Sequence, residues 1–205
     1  MDNDDFRRGQ PTSHKVFGEG IAILAGDALL TQAFELVAQA KATSRYSSAT
    51  IVSELAVASG SLHLIAGQVA DLEGEGKRIG PQQLRYIHER KTAALIRCSV
   101  RLGGMSANCT PAQLQSLGDF GFNVGLAFQV IDDILDVTQS TEQLGKTAGK
   151  DTKADKATYP AILGLERSRG IAEELTNRAF GALHRFPGKP AALEAIARFL
   201  LGREK

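Results

Sequence analysis

The sequence contains few of the residues that form disulfide bonds or structural zinc sites. It contains only two cysteines, Cys98 and Cys109, it has no tryptophan, and aromatic residues make up 6% of the chain. The two cysteines have no metal-ligand spacing and no histidine pattern near them, which excludes a disulfide framework or a zinc site as the basis of the fold. Reduced thiols are typical of a reducing compartment, and we therefore expect a cytoplasmic protein.

A net charge of one sign is also missing. The chain has 24 Lys and Arg against 23 Asp and Glu, a formal net charge of +1. Without an overall field there is no attraction to nucleic acid or to an anionic membrane, so a charged ligand has to be held by a local cluster. The most apolar stretch, 21–42, is interrupted by polar and acidic residues, and the N-terminus shows no targeting signal. We predict no nucleic-acid partner and no membrane span.

Apolar residues recur at helical spacing along most of the chain, and alternating strand patterns are missing. With 43% hydrophobic residues, the sequence predicts an all-α fold and a single domain over 1–205. The predicted helices are about 17–42, 47–77, 81–104, 111–138, 158–184 and 190–203. Two segments lie outside the pattern, 2–15 and 138–158, and we interpret both as ligand loops.

The helix predicted near 120–137 carries acidic residues on one face. At about 100° per residue, Asp132, Asp133 and Asp136 share that face with Gly121 and Gly125. Three carboxylates on an otherwise apolar helix repel one another unless a cation lies among them, and hard oxygen ligands favour Mg²⁺. The alternative is a solvated acidic stripe. The glycines favour a site, because they would leave room for a ligand.

Two further segments repeat the combination of polar groups on apolar helices. Gly67, Gln68 and Asp71 share one face of a helix, which on its own indicates close helix contact as readily as a site. Lys91, next to Thr92, lies on an inward stripe and needs an anion there, unless its ammonium group reaches water at the edge.

Charged residues also fill both predicted loops. The loop after the acidic helix is rich in lysine and could serve a metal-bridged diphosphate or be ordinary solvated charge. Arg7 and Arg8, in the opening segment, could donate to phosphate oxygens or simply lie at the surface.

Three segments together resemble the trans-isoprenyl diphosphate synthase (polyprenyl synthetase) family. They are Phe-Gln-Val-Ile-Asp-Asp-Ile-Leu-Asp at 128–136, Leu-Gly-Lys-Thr-Ala-Gly-Lys-Asp at 144–151 and Lys-Ala-Thr-Tyr-Pro at 156–160. Further similar segments are found at 7–12, 24–30, 67–72 and 88–92. The likeness is greatest to bacterial and plastid geranylgeranyl and farnesyl diphosphate synthases.

The resemblance implies an isoprenoid-synthase-type helical bundle around a central cavity. It also implies a Mg²⁺-dependent condensation of isopentenyl diphosphate with an allylic diphosphate. The allylic C–O bond breaks, the isopentenyl double bond attacks the allyl cation, and the departing diphosphate takes the proton. The product would be a short-chain prenyl diphosphate, with geranylgeranyl preferred and farnesyl second.

Roles for individual residues follow from the same resemblance. The implied ligands of several Mg²⁺ ions are Asp2, Asp71, Asp132, Asp133 and Asp136. The implied diphosphate contacts are Arg7, Lys91, Lys146 and Lys156 for the allylic substrate and Arg8 for isopentenyl diphosphate. Lys91, Thr92 and Gln129 would act on the carbocation, and Gln68 and Phe128 would line the cavity.

The chain departs from the family pattern at its start. The family's first aspartate-rich motif is represented only by Asp2, and its leading Asp-Asp pair would precede Met1. We expect roughly the N-terminal quarter to third of a family domain to be lacking, and therefore little elongation by this chain alone. A homodimer is expected from the family, and a plastid location would follow if a transit peptide preceded Met1.

Two alternatives remain open at this point. One is a class I terpene synthase, which also ionises prenyl diphosphates at aspartate-rich helices, although the Arg-Arg-Gly segment and the Lys-Thr pair favour condensation. The other is a catalytically impaired or regulatory subunit that binds an intact synthase.

Overall fold

A computed structural model describes residues 4–138, 157–186, 188 and 190–202. Their regular elements are two strands, β1 (Phe6–Arg7) and β2 (Gln10–Pro11), ten α-helices and one turn of π-helix. The helices are α1 (Ser13–Phe17), α2 (Glu19–Ala38), α3 (Ser48–Ser59), α4 (Leu64–Gly74), α5 (Pro81–His88), α6 (Ala94–Ser106), α7 (Pro111–Thr138), α8 (Tyr159–Leu163), α9 (Leu165–His184) and α10 (Ala191–Leu201). The π turn, Glu89–Ala93, joins α5 directly to α6.

The prediction of an all-α chain is confirmed. Local chemistry explains several of the helix starts. The Ser47 hydroxyl accepts a hydrogen bond from the Thr50 N–H at 3.1 Å and caps α3, and Pro81 occupies the first turn of α5. A proline is tolerated there because the first turn has no intrahelical use for its missing N–H. The Thr158 hydroxyl caps α8 in the same way as Ser47 caps α3.

Four predicted boundaries are wrong, and glycine explains two of them. Gly18 separates α1 from α2 at φ 84°, and Gly164 separates α8 from α9 at φ 82°. Residues with a side chain rarely adopt these angles, so Gly164 ends a helix that periodicity alone had continued, and Gly18 ends α1, which the sequence had not predicted as a helix. The predicted helix 47–77 is interrupted between α3 and α4, and the predicted helix 81–104 contains the π turn.

The opening segment is also more regular than expected. Phe6–Arg7 pairs antiparallel with Gln10–Pro11 to form a short ribbon, with Phe6 opposite Pro11 and Arg7 opposite Gln10. α1 already begins at Ser13, inside the segment that the sequence predicted to be an irregular loop.

α7 is the central helix of the described fold. It packs along α6 on one side and α9 on another, and it also contacts the π turn, α8 and α10. Its residues Leu126, Ala127 and Val130 are almost fully buried in a core with side chains from α5, the π turn, α8 and α9. The last two turns of α7, which carry the acidic residues, are therefore held from several directions.

α2 is exposed by contrast. Only its C-terminal part packs inward, where Ala33, Phe34 and Val37 contact a core formed with α3 and α6. Its remaining large apolar side chains are 47–67% exposed and are Ile21, Ile23, Leu24, Leu29, Leu30 and Leu36. A helix that is apolar on most of its faces is normally covered by other protein or by lipid.

Two stretches are long and apolar enough to cross a membrane on length and composition alone, Glu19–Ala38 and Ser48–Gly74. The polar residues in the first stretch therefore do not exclude a span by themselves, contrary to our argument from the sequence. Core helices of water-soluble proteins meet the same criterion, and the absence of a membrane span stays a prediction.

Candidate functional site

The C-terminal turns of α7 place three carboxylates in three different environments. Asp132 is half-buried, whereas Asp133 is only 3% exposed and Asp136 only 4% exposed. Two carboxylates buried among apolar side chains would be costly without partners or cations. The acidic stripe predicted from the sequence is therefore not a solvated surface feature.

The Asp133 carboxylate is held by donors on both oxygens. Its Oδ2 accepts a hydrogen bond from the Tyr159 backbone N–H at 3.0 Å, and its Oδ1 accepts one from the Gln129 side-chain Nε2 at 3.3 Å. The His88 Nε2 lies 3.9 Å from the same Oδ2. Asp133 thus connects α7 to the start of α8 by a hydrogen bond and lies close to His88 at the end of α5.

Asp136 has a different environment. Its Oδ2 is buried and has no hydrogen-bond partner among the described residues. A buried carboxylate oxygen without a donor is the kind of atom that a bound cation satisfies, and oxygen is the ligand that Mg²⁺ prefers. The donor set on this helix therefore fits Mg²⁺, although no three His, Cys, Asp or Glu side chains within the described ranges form a ready metal cluster.

The π turn is clamped between two glycines. A Cβ atom at Gly67 of α4 would lie 2.3 Å from the Lys91 backbone nitrogen, and one at Gly125 of α7 would lie 2.6 Å from the Ala93 Cα. No side chain fits in either place. The close contact that we considered for Gly67 from the sequence is present, and it fixes the backbone that carries Lys91 and Thr92.

The glycines of α7 were interpreted wrongly from the sequence. We expected Gly121 and Gly125 to leave room for a ligand above the acidic stripe. Instead, a Cβ at Gly121 would lie 2.9 Å from the Arg97 Cα, so both glycines let α6 and the π turn approach α7. The space that they provide is filled by protein backbone.

Two polar side chains of the π turn, those of Lys91 and Thr92, contact separate partners. The Lys91 Nζ forms an ion pair with the Asp71 Oδ2 of α4 at 2.7 Å, with both side chains partly buried. The Thr92 hydroxyl donates to the Gln129 Oε1 of α7 at 3.1 Å. The inward lysine does meet an anion, and three segments distant in sequence converge here.

His88 is a buried histidine at the centre of this convergence. It is 6% exposed, and its ring lies 5.4 Å from the Tyr159 ring, centroid to centroid. Burial lowers the pKa of His88 to about 4, with Asp71 and Asp132 acting in the opposite direction. At neutral pH the histidine is therefore uncharged, and its Nδ1 has no hydrogen-bond partner among the described residues.

The remaining predicted site residues fall into two groups. Gln68 and Phe128 are half-buried on α4 and α7. Arg7 and Arg8 are exposed on the N-terminal ribbon, where Arg8 has φ 52°, and the described part of the chain shows no hydrogen bond from either side chain to α7. Three other predicted residues lie outside the described residues, and they are Asp2, Lys146 and Lys156.

Sequence reasoning gave no role to His88 or to the Tyr159 backbone. Both belong to segments that carried the family resemblance, but neither stands out by charge or by spacing. A buried, uncharged histidine follows the apolar period of α5, and a backbone N–H has no signal in the sequence. Only the packing of α5 and α8 against α7 reveals their contacts with Asp133.

A cleft of about 700 Å³ opens between α3, the π turn and α6. Its wall includes Glu54, Arg90, Arg97, Arg101 and Phe122. The Arg101 guanidinium forms a two-point hydrogen bond with the Glu54 carboxylate, at 2.5 and 3.1 Å. None of the predicted site residues lines this cleft, although Arg90 is next to Lys91 in the π turn.

Comparison with known proteins agrees with this architecture. The sequence profile described as Polyprenyl synthetase matches residues 1–189. A chloroplastic geranylgeranyl pyrophosphate synthase from Catharanthus roseus is 51% identical over 207 residues, covering 100% of this chain and 58% of the relative. A heterodimeric geranylgeranyl pyrophosphate synthase large subunit, also chloroplastic, from Arabidopsis thaliana is 49% identical over 211 residues, covering 100% of this chain and 57% of the relative.

A solved structure has the same fold. The geranyltransferase from Helicobacter pylori, complexed with magnesium and isoprenyl diphosphate, matches with a TM-score of 0.82 and 36% identity. The match covers 98% of this chain and 66% of that structure. The chain thus spans less than two thirds of the length of the curated relatives it matches.

Proposed function

This chain belongs to the polyprenyl synthetase family, and on that basis we propose that it condenses isopentenyl diphosphate with an allylic diphosphate. The product is a short-chain prenyl diphosphate, with geranylgeranyl diphosphate preferred and farnesyl diphosphate second. The names of the two plant relatives support that order. Because the chain spans 58% of the first of these relatives, the complete reaction is a proposal for this chain.

One observation carries the proposal. The Thr92 hydroxyl meets the Gln129 amide beside the Asp133 carboxylate of α7, and the neighbouring Lys91 pairs with the Asp71 carboxylate of α4. A cationic donor, a hydroxyl and an amide oxygen next to buried carboxylates are the groups needed to bind a diphosphate and to face a developing positive charge. The bland alternative of a solvated charged surface does not explain the burial of Asp133 and Asp136.

Mg²⁺ fits the same place. We assign the binding of Mg²⁺ to Asp132 and to the buried Oδ2 of Asp136, with Asp2 and Asp71 as further predicted ligands. Bound Mg²⁺ supplies Lewis-acid neutralisation of the diphosphate charge. The similar geranyltransferase from Helicobacter pylori is complexed with magnesium and isoprenyl diphosphate, which supports this assignment.

The residues of the chain contribute to the reaction in order. Lys91 leaves Asp71 and donates to the allylic diphosphate, together with the predicted contacts Arg7, Lys146 and Lys156. As the allylic C–O bond breaks, the Gln129 amide oxygen and the Thr92 hydroxyl oxygen face the allyl cation. The isopentenyl double bond then attacks the cation, and the departing diphosphate accepts the proton released from the new C–C adduct.

The proposal is tested by titrating the purified chain with farnesyl diphosphate at fixed Mg²⁺ in a calorimeter. We expect binding that requires Mg²⁺ and weakens about tenfold or more in Lys91→Gln, because a charge-assisted contact contributes about 1.5–3 kcal/mol. Lys41→Gln, an exposed lysine at the end of the α2 region, is the matched control and should bind as the wild type does. Absence of Mg²⁺-dependent binding in the wild type would refute the proposal.

Product analysis separates the alternatives. With Mg²⁺, labelled isopentenyl diphosphate and an allylic primer, we expect elongated product that requires both substrates. Hydrocarbon formed from the allylic diphosphate alone would indicate a terpene synthase instead.

We also propose that the chain forms a homodimer through α2. The exposed apolar side chains of that helix, such as Leu24 and Leu29, support a protein partner, and a second copy supplies the same apolar surface. The chloroplastic names of the plant relatives support a plastid location as the alternative to the cytoplasm.

A further inference from the structure

We infer that Asp133 is a positioning residue that fixes the orientation of the Gln129 side-chain amide, and that it is not a metal ligand. This inference rests on the proposed prenyl transfer for its purpose, although the hydrogen-bond argument stands on the contacts alone. It differs from the role that the family resemblance implied for Asp133. The reason is that the backbone N–H of Tyr159, which contacts Asp133, can only donate a hydrogen bond.

An ionised carboxylate can only accept hydrogen bonds. The Tyr159 backbone N–H occupies the Oδ2 of Asp133, and the Gln129 Nε2 donates to the Oδ1. An amide whose NH₂ group is held by a carboxylate has to turn its oxygen the opposite way. In this structure the Gln129 Oε1 therefore faces Thr92 and accepts from its hydroxyl.

The direction of the amide matters for the chemistry. The Oε1 atom carries the negative end of the amide dipole, whereas the NH₂ group carries the positive end. An oxygen aimed at an allyl cation stabilises it, and an NH₂ group aimed there repels it. Asp133 selects between these two orientations, which are nearly identical in shape.

In the variant Asp133→Asn we expect the side-chain amides at positions 133 and 129 to take defined orientations. The Tyr159 N–H is a fixed donor, so the amide introduced at position 133 has to turn its oxygen towards Tyr159 and its NH₂ group towards Gln129. Gln129 then turns its own oxygen towards position 133 and its NH₂ group towards Thr92. The substitution thus reverses a dipole and removes one negative charge, while keeping the volume of the side chain.

The experiment measures affinities for a pair of probes, so it does not require turnover. One probe is a farnesyl diphosphate analogue with an ammonium nitrogen in place of an allylic carbon, and the other is its uncharged counterpart. Wild-type protein should prefer the cationic probe. In Asp133→Asn the ratio of the affinities for the cationic and uncharged probes should fall about tenfold, and the dependence of binding on Mg²⁺ concentration should stay as in the wild type. In Asp132→Asn that dependence should shift to higher Mg²⁺ concentrations.

A rescue variant tests whether a carboxylate oxygen that faces the site restores the preference. In the double variant Gln129→Glu/Asp133→Asn, the NH₂ group introduced at position 133 donates to the carboxylate introduced at position 129. The second oxygen of that carboxylate again faces the site. The double variant should therefore regain the preference for the cationic probe. A merely structural role for Asp133 predicts no such recovery.

The same helix provides a matched control. Gln115 and Asp119 form an equivalent pair one helical turn apart, with the Gln115 Nε2 donating to the Asp119 Oδ1 at 2.8 Å on the surface. Asp119→Asn should leave the probe preference unchanged, and melting temperatures should be recorded for every variant. The inference is overturned if Asp133→Asn keeps the preference or if it raises the required Mg²⁺ as Asp132→Asn does. Failure of the wild type to bind either probe would refute the proposed function instead.

Discussion

At the scale of single residues, the absence of a side chain at Gly67 allows α4 to pack closely against the π turn. Its missing Cβ lets α4 lie against the backbone of Lys91, and Gly125 does the same for α7 on the other side of the π turn. That backbone carries Lys91 and Thr92, the two polar side chains of the turn that meet Asp71 and Gln129. The geometry of the proposed site therefore depends on two residues that have no side-chain chemistry of their own.

We predict that Gly67→Ala lowers the free energy of unfolding by about 2–3 kcal/mol, because the new methyl group would displace backbone. Gly103→Ala on α6 is the control, since a Cβ there meets nothing within 4 Å. That control should be neutral or stabilising by about 0.5–1 kcal/mol, as it removes glycine freedom from the unfolded chain. Urea denaturation measures the free energy of unfolding of both variants. Equal effects would contradict the close contact between Gly67 and the π turn.

His88 predicts a pH dependence. Its pKa is lowered to about 4 in the fold against 6.5 in the unfolded chain, chiefly by burial. The unfolded state therefore binds the extra proton first as the pH falls. The contribution of the neutral His88 to the free energy of unfolding is fully present above about pH 6.5. It decreases as the pH falls from 6.5 to 4, by on the order of 3 kcal/mol at most.

The measurement is urea denaturation in metal-free buffer at several pH values, comparing wild type with His88→Gln. Carboxylates contribute to both proteins, so the informative quantity is the difference between their slopes. We expect the variant to lose less stability between pH 6.5 and 4. Parallel curves would show that the histidine does not titrate as its burial predicts.

At the scale of elements, the start of α8 connects two parts of the site. The Thr158 hydroxyl accepts from the Ala161 N–H at 3.3 Å and is 4% exposed, and the next residue donates its N–H to Asp133. We predict that Thr158→Ala costs about 1–2 kcal/mol, whereas Thr158→Ser, which keeps the cap, costs less. Thermal unfolding measures both, and equal losses from the two variants would show that the methyl group matters more than the cap.

The elements also show what the sequence can predict. Periodicity identified the start of α7 at Pro111, and its apolar positions continue without a break to Thr138, the last residue described in this part of the chain. It failed at Gly164, where a positive φ ends a helix within an apolar pattern, and it missed α1, which ends before Gly18. The π turn was also missed, since an extra residue in a helical turn is stabilised by contacts with α4 and α7 rather than by its own composition.

The same distinction applies to the site. The charge of Asp132, Asp133 and Asp136 was visible in the sequence, and so was the inward position of Lys91. Their partners on other elements were not, because Asp71 and Tyr159 reach Lys91 and Asp133 only through the packing of α4 against the π turn and of α8 against α7. Residue type predicted the chemistry, and tertiary contacts assigned the partners.

At the scale of the whole molecule, α2 determines the association state that we expect. We predict that the wild-type chain sediments as a dimer at micromolar concentration and that Leu24→Glu/Leu29→Glu sediments as a monomer. The two leucines are 62% and 67% exposed within one chain. Phe199→Glu on α10, at a position 76% exposed, is the matched control and should remain dimeric. A monomeric wild type would contradict the proposed interface.

The ion pair between Lys91 and Asp71 has a further consequence for ligand binding. Each partner is held by the other until a ligand separates them. A diphosphate that takes the lysine releases a carboxylate, and a divalent cation that takes the carboxylate releases an ammonium group. The two ligands therefore lower each other's free energy of binding by the same amount, as thermodynamic reciprocity requires. Asp71→Asn should reduce this coupling, so that the affinity for diphosphate responds less steeply to Mg²⁺ than in the wild type.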